Sequence, residues 1–228
     1  MQGLSGEQRK QWDADGCLVV DDAYCGDDLR RLQAAFVRCA AKAKLRWLEE
    51  VATGTQPGAF FDIPQPLQQD EAFIGLADHP GYFGLLQDLL GENLVFHSAQ
   101  VRTLPVSPVS YVGWHPDNSH DQPQSVKVQI YVDDVPADGG AFAFVPGSHK
   151  PEAGPYELMA ALDRMPGHKV FPGKAGTAIL FNTYGWHTSM INCTSEPRRS
   201  IILIYSEAHA AEGTEKHATF ADRLNTLK

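Results

Sequence analysis

Apolar positions in the first third of the chain recur at three and four residues. Leu29, Leu32, Phe36 and Cys39 form one stripe, opened by Asp27 and Asp28, which predicts a helix fading near Glu50. A shorter helix is expected over 4–14, capped by Ser5, with the strand-like run CLVVDDAY between the two. Further helical pieces fit 69–77 and 80–90, the latter ended by Gly91. The intervening VATGTQPGAFFDIPQPLQQ carries glycine and three prolines, so it reads as a loop that closes over something.

From Leu94 the period shortens to two. Short β-rich runs separated by turn residues fall at 94–103, 109–116, 126–133, 141–145, 168–171, 177–182, 186–191 and 200–206. About eight such strands predict a sandwich, jelly roll or barrel, with the N-terminal helices packed on one outer face. In VKVQIYV, Val126, Val128, Ile130 and Val132 share one face while Lys127, Gln129 and Tyr131 share the other. In FHSAQVR, Ser98, Gln100 and Arg102 line one face. Such polar faces meet either solvent or a polar ligand inside a closed sheet, and the alternation alone leaves both open.

Composition narrows the function classes. The 228 residues suffice for one domain with a sizeable core, and 43% hydrophobic with 21% charged content is ordinary for a globular protein. A formal charge of −9 disfavours nucleic acid and anionic membranes, which are held by clustered Lys and Arg. The one basic cluster, Lys42, Lys44 and Arg46, reads as a solvated helix face. Cys17, Cys25, Cys39 and Cys193 show no disulfide framework and read as buried free thiols. The polar N-terminus does not read as a signal peptide, and no run reaches the ~18 apolar residues of a membrane helix. A cytoplasmic protein is expected.

Candidate chemistry begins at GWHPDN, where His115 and Asp117 stand two residues apart after a strand-like run. Either the aspartate caps a turn and the histidine is incidental, or the two are corners of a metal site. A third ligand is then needed, and His187 in NTYGWHTSMIN, 70 residues beyond Asp117, sits between strand-like runs. Two imidazoles and one carboxylate leave three positions open, as in Fe(II) oxygenases that bind co-substrate and O2 on the metal. Arg198 and Arg199 open a strongly apolar strand. Alternation turns at most one inward, where a buried guanidinium needs an anion such as a dicarboxylate; otherwise both are surface charges. A non-redox enzyme using Zn²⁺ and a cupin-like metabolite-binding protein are the competing readings.

Through nearly its whole length the chain resembles the phytanoyl-CoA dioxygenase family of Fe(II)/2-oxoglutarate-dependent oxygenases. The matching pieces are SGEQRKQWDADGCLVVDDAY, WHPD, VQIYVDDVPADGGAFAFVPGSHK and AGTAILFNTYGWHTSMINCTSEPRRS. The resemblance implies a mainly β fold: a double-stranded β-helix, or jelly roll, within a single domain over 1–228, helical over about 1–92 and jelly-roll over about 93–208. It implies Fe(II) on His115, Asp117 and His187. It also implies Arg198 on the far carboxylate of 2-oxoglutarate, Ser189 beside it, and Arg199 outward. Gln129 stands where many members carry an aromatic residue, and Gln100 faces the same pocket. The implied activity is O2-dependent hydroxylation, or a related oxidation, of a small molecule, with release of succinate and CO2. A natural-product or other secondary-metabolite intermediate suits the short chain better than an acyl-CoA. Residues 51–68 and 104–112 would wall the entrance, with 150–166 as a lid. Of the other conspicuous residues, His120 is a candidate for substrate contact, as are Tyr111, Trp114, Phe142 and Trp186. His97, His149 and Asn192 read as structural, and His79, His168, His209 and His217 as surface residues.

Overall fold

Strand 125–131 shows how the sequence builds the fold, because its two faces meet different surroundings. The computed structural model describes residues 3–56, 58–106, 112–157, 161–208, 213–216, 218–220 and 222–227. Helices are α1 (Gly6–Asp15), α2 (Gly26–Ala52), α3 (Pro66–Gln69), α4 (Glu71–Ile74) and α5 (Phe83–Leu90). Strands are β1 (Cys17–Val20), β2 (Phe61–Ile63), β3 (Val95–Leu104), β4 (Ser125–Tyr131), β5 (Phe142–Phe144) and β6 (Lys169–Phe171). They continue with β7 (Ala178–Asn182), β8 (His187–Ser189), β9 (Arg198–Ser206), β10 (Thr214–Lys216) and β11 (Asn225–Leu227).

The strands form two sheets. The larger runs β1-β7-β4-β9-β3-β11-β10, with β2 also on β3; the smaller runs β6-β5-β8. All neighbours are antiparallel except β11 on β3. The single bridge Gly139–Asn192 continues the β5–β8 register, His115–His187 adds to the free edge of β8, and Val135 bridges Gly173 just after β6. The result is the expected jelly roll, mainly β, with helices on one face.

One face of the large sheet is apolar throughout. Val126, Val128, Ile130, Leu180, Ile201, Leu203 and Tyr205 pack with Leu32, Phe36, Trp47, Phe73 and Leu86 of the helices in a single core. The opposite face and the small sheet enclose a second core of Cys17, Tyr131, Phe142, Phe144, Ile179 and Phe181. Local signals fix the helix ends. Ser5 caps α1 in a reciprocal box with Gln8, whose amide N donates to Ser5 Oγ (3.1 Å) while Gln8 Oε1 accepts from Ser5 N (2.9 Å). Gly16 ends α1 at φ 79°, a left-handed conformation that glycine adopts without a Cβ penalty.

Several expectations change. The loop read from 51–68 contains β2, held by pairing to β3 rather than by its own propensity. The helix read over 69–77 is two four-residue helices, because Asp70 is extended (φ −159°, ψ 140°) between them and caps the second. The strand read over 109–116 falls partly outside the described residues; over 112–116 only His115 bridges. β10 and β11 were not foreseen. Of the four free cysteines only Cys17 is fully buried, and Cys25 and Cys193 are exposed. His79 is not a surface residue: its ring lies between Tyr24 (centroids 4.2 Å) and Tyr82 (5.8 Å), and burial lowers its pKa. Tyr111, His209 and His217, and part of the 104–112 and 150–166 segments, lie outside the described residues. The basic cluster Lys42, Lys44 and Arg46 is exposed, as expected.

Candidate metal centre

The small sheet brings the two histidines together through the backbone. β8 pairs with β5 so that His187 lies opposite Phe144 and Ser189 opposite Phe142. His115 joins the free edge beyond β8 by exchanging both backbone hydrogen bonds with His187, His115 N to His187 O at 3.2 Å and His187 N to His115 O at 3.0 Å. The next turn is tied across the barrel, where Asp117 N donates to Thr183 O at 2.9 Å. Gly185 permits this packing: a Cβ there would stand 2.0 Å from the Phe144 ring.

The three side chains converge. One ligand atom from each of His115, Asp117 and His187 lies within 4.8 Å of the others. Each imidazole has its Nδ1 in hydrogen-bond contact with a carbonyl oxygen, His115 with Gly113 at 2.7 Å and His187 with Gly185 at 2.9 Å. That contact calls for a proton on Nδ1, which leaves the Nε2 lone pair free for a metal. His187 Nε2 is 3.4 Å from Asp117 Oδ2, and Oδ2 is buried without a hydrogen-bond partner. Burial pushes the His187 imidazole down to about 4, so it is neutral and ligand-ready over the physiological range. Phe142 and Phe181 flank its ring at centroid distances of 5.8 and 4.8 Å and keep that side apolar. The donor set is that of an open-faced iron site, and these residues fit one.

A cavity of about 190 Å³ opens from the triad into the barrel. Its walls include Gln100, Arg102, Lys127, Gln129, Ser189 and Ile202. Behind Ser189, Arg198 is buried, 3% exposed, and donates from Nη1 to Gly140 O (2.7 Å) and Ser189 Oγ (3.0 Å). Gly140 offers that carbonyl from a left-handed conformation, φ 74°. Burial lowers the Arg198 pKa to about 10, the mark of a cation short of anionic partners, and its Nε has none. Arg199 points away and pairs with Asp133, Nε to Oδ2 at 2.5 Å. Gln129 is 2% exposed with Nε2 unpartnered, and Ser200 Oγ on the same inner face is also without a partner.

The structure therefore brings His115, Asp117, His187, Ser189, Gln129 and Gln100 into one cavity, with Arg198 behind Ser189. Two cations at the cavity were not read from the sequence as site residues. Lys127 donates to Asp117 Oδ1 at 2.6 Å. Arg102 makes a two-pronged pair with Asp62 of β2, both at 2.8 Å, and covers the Phe60 ring at 3.6 Å. Their inward parity on β4 and β3 was the available signal. Among the aromatic candidates, Phe142 lines the cavity, whereas Trp114 is core, its Nε1 donating to Leu162 O at 2.9 Å. Trp186 packs at a tilt on Tyr156 and His120 on Tyr184, and none of the four is among the cavity walls. His97 meets Ser206 Oγ at 2.7 Å, His149 packs where a Cβ on Gly16 would fall, and Asn192 holds a turn through Thr194 and Glu196.

The sequence pattern that defines phytanoyl-CoA dioxygenase (PhyH) matches residues 12–200, most of the chain and all of the centre just described. The chain belongs to the phytanoyl-CoA dioxygenase family. Among curated relatives, the ectoine dioxygenase of Nocardia farcinica is 22% identical over 89% of this chain and 78% of its own length. A probable alpha-ketoglutarate-dependent hypophosphite dioxygenase of Stutzerimonas stutzeri is 26% identical over 68% of this chain and 56% of its own. Among solved structures, HygX of Streptomyces hygroscopicus with nickel, 2-oxoglutarate and hygromycin B superposes with a TM-score of 0.72 at 17% identity, covering 96% and 94% of the two chains. The epimerase SnoN with Fe³⁺, alpha ketoglutarate and nogalamycin RO gives 0.67 at 21% identity, covering 87% and 82%. With its His-Asp-His centre, this phytanoyl-CoA dioxygenase family member is a non-haem iron, 2-oxoglutarate-dependent dioxygenase. No helix among the described residues is long and apolar enough to cross a membrane.

Proposed function

We propose that His115, Asp117 and His187 hold Fe(II), and that Arg198 and Ser189 receive the far carboxylate of 2-oxoglutarate. Gln129 and Gln100 flank the co-substrate between the two ends, and residues 1–228 work as one catalytic domain. The observation that carries this reading is a group of buried polar atoms without partners at or beside the cavity. Asp117 and Gln129, with Oδ2 and Nε2 unpaired, line it, and Ser200 and Arg198, with Oγ and Nε unpaired, share the face of β9 with Ile202, which also lines it. Leaving such groups unpaired costs about 1–3 kcal/mol each, so a barrel that keeps four is shaped for a polar ligand. A bound metal ion would satisfy Asp117 Oδ2, and a dicarboxylate with a keto group supplies acceptors for Gln129 Nε2, Ser200 Oγ and Arg198 Nε.

When bound, iron and 2-oxoglutarate supply the oxidising power: O2 is reduced as the co-substrate loses CO2 to become succinate, and one oxygen atom passes to a substrate C–H bond. The chain's part is to bind, orient and exclude water. Arg198 and Ser189 set the depth of the co-substrate, and Phe142 and Phe181 shield the inner side of His187. The substrate is a small polar molecule, since the cavity at the triad is about 190 Å³ and carries Gln100, Arg102 and Lys127 on its walls. A natural-product or other secondary-metabolite intermediate is the finer reading, supported by the ligands named for HygX and SnoN.

Anaerobic addition of Fe(II) and then 2-oxoglutarate to the apo-protein tests the proposal. A weak visible charge-transfer band is expected, lost in His187→Ala and weakened in Arg198→Ala. Iron binding with no such band in the wild type would overturn the co-substrate assignment.

A further inference from the structure

Lys127 is out of place by ordinary electrostatics. Its side chain is only 15% exposed, on the inner face of β4 opposite Phe181 and Ile204, and its one hydrogen-bond partner among the described residues is Asp117 Oδ1. It thus occupies the outer oxygen of the carboxylate whose inner oxygen, Oδ2, faces His187. A group that only oriented Asp117 could be a neutral donor such as asparagine or serine. A full positive charge one carboxylate away from a dication repels it and weakens the metal complex, an effect that a buried site screens poorly. Of the ammonium's three protons one is spent on Asp117, and two remain for the cavity that Lys127 lines.

Resting on the iron and co-substrate reading above, we propose that Lys127 is a positioning residue with two linked effects. It pins Asp117 so that a single oxygen is presented to the metal, keeping the second oxygen from closing onto an open position. It also holds positive potential at the open face, so anions bind there more tightly at the expense of the metal itself. The site thereby exchanges some metal affinity for affinity toward a carboxylate arriving beside the metal. The charges agree: with Asp117 claimed by the metal and Arg102 balanced by Asp62, Lys127 is, among the described residues, the uncompensated cation on that side of the cavity.

Metal and anion affinities measured separately decide the matter. Co(II) is titrated into apo-protein by its visible absorption, then azide and, independently, 2-oxoglutarate are titrated into the Co(II) form of wild type, Lys127→Met and Lys127→Arg. The expectation for Lys127→Met is Co(II) binding about tenfold tighter and azide binding about tenfold weaker, with 2-oxoglutarate following azide, while Lys127→Arg stays within about threefold of wild type on each. An ordinary orienting partner gives the opposite sign for the metal, a loss of about 10–100-fold on removal. Parallel weakening of metal and azide, or no change in either, overturns the proposal. A wild type that binds azide but not 2-oxoglutarate overturns the co-substrate reading instead, and the azide ratio still judges Lys127. If thermal melting shows Lys127→Met unfolded, Lys127→Gln replaces it under the same criteria.

Discussion

The two faces of the large sheet are made by the same strands and serve opposite ends. On the helix side, Val126, Val128 and Ile130 of β4 and Ile201, Leu203 and Tyr205 of β9 are buried among apolar neighbours, and the Tyr205 hydroxyl donates to Ala77 O at 2.8 Å. On the barrel side the intervening residues are Lys127, Gln129 and Tyr131, and Arg198, Ser200 and Ile202, with several polar atoms unpartnered. One residue step separates a surface that stores stability from one that gives it up for binding. The unpaired groups on the inner face are tolerable because the outer face supplies the burial that keeps the strands in place.

Substitutions should separate the two faces. The largest effect is expected from His187→Ala, which removes one of three ligands: metal binding measured by titration should fall by at least about 100-fold and turnover should cease, as it should on chelation of the metal. Ile130→Ala, on the helix side, should cost about 2–5 kcal/mol in chemical denaturation while leaving the dissociation constant of 2-oxoglutarate within about twofold. A change in that constant with unaltered stability would break the division.

Acidification probes the inner face without mutation. His187 is held neutral in the fold, its pKa depressed from 6.5 to about 4 by burial. The stability this represents is complete above the unfolded value near 6.5 and is lost as pH falls through about 4. Roughly 3 kcal/mol is at stake in the apo-protein, measurable as the pH dependence of urea unfolding between 7 and 4. Bound metal should move the loss to lower pH. Arg198→Met should raise the dissociation constant of 2-oxoglutarate about 100-fold, or about 2–3 kcal/mol, yet leave the apo-protein at least as stable, since a buried cation lacking an anion is removed. The smallest expected effect is that of Gln129→Leu: about 1 kcal/mol lost from co-substrate binding by calorimetry, with the melting temperature unchanged or raised.

How much of this was legible in the sequence follows from the same alternation. Period two along VKVQIYV separates the faces of β4, and the neighbours Arg198 and Arg199 had to part, one into the barrel and one to Asp133. What alternation does not say is whether a polar face looks at water or at a ligand, and that is why Lys127 and Arg102 were passed over as site residues. β2 is legible only in three dimensions. Phe61–Ile63 sits among prolines and becomes a strand because β3 offers an edge and Arg102 offers Asp62 a partner. β11 likewise depends on a parallel edge of β3 more than a hundred residues earlier. His79 read as a surface residue because Tyr82 alone stands near it in sequence; Tyr24 closes the other side of its ring only after the chain has folded.

The backbone exchange between His115 and His187 has a further consequence, best put in the language of coordination chemistry. Two imidazoles held by a shared pair of amide bridges behave as one chelating ligand with a fixed bite, set by the spacing of a β-ladder together with the carbonyl that each Nδ1 contacts. Such a chelate is preorganised before any ion arrives. Residues around the rim can therefore change, and substrates with them, while the bite stays the same.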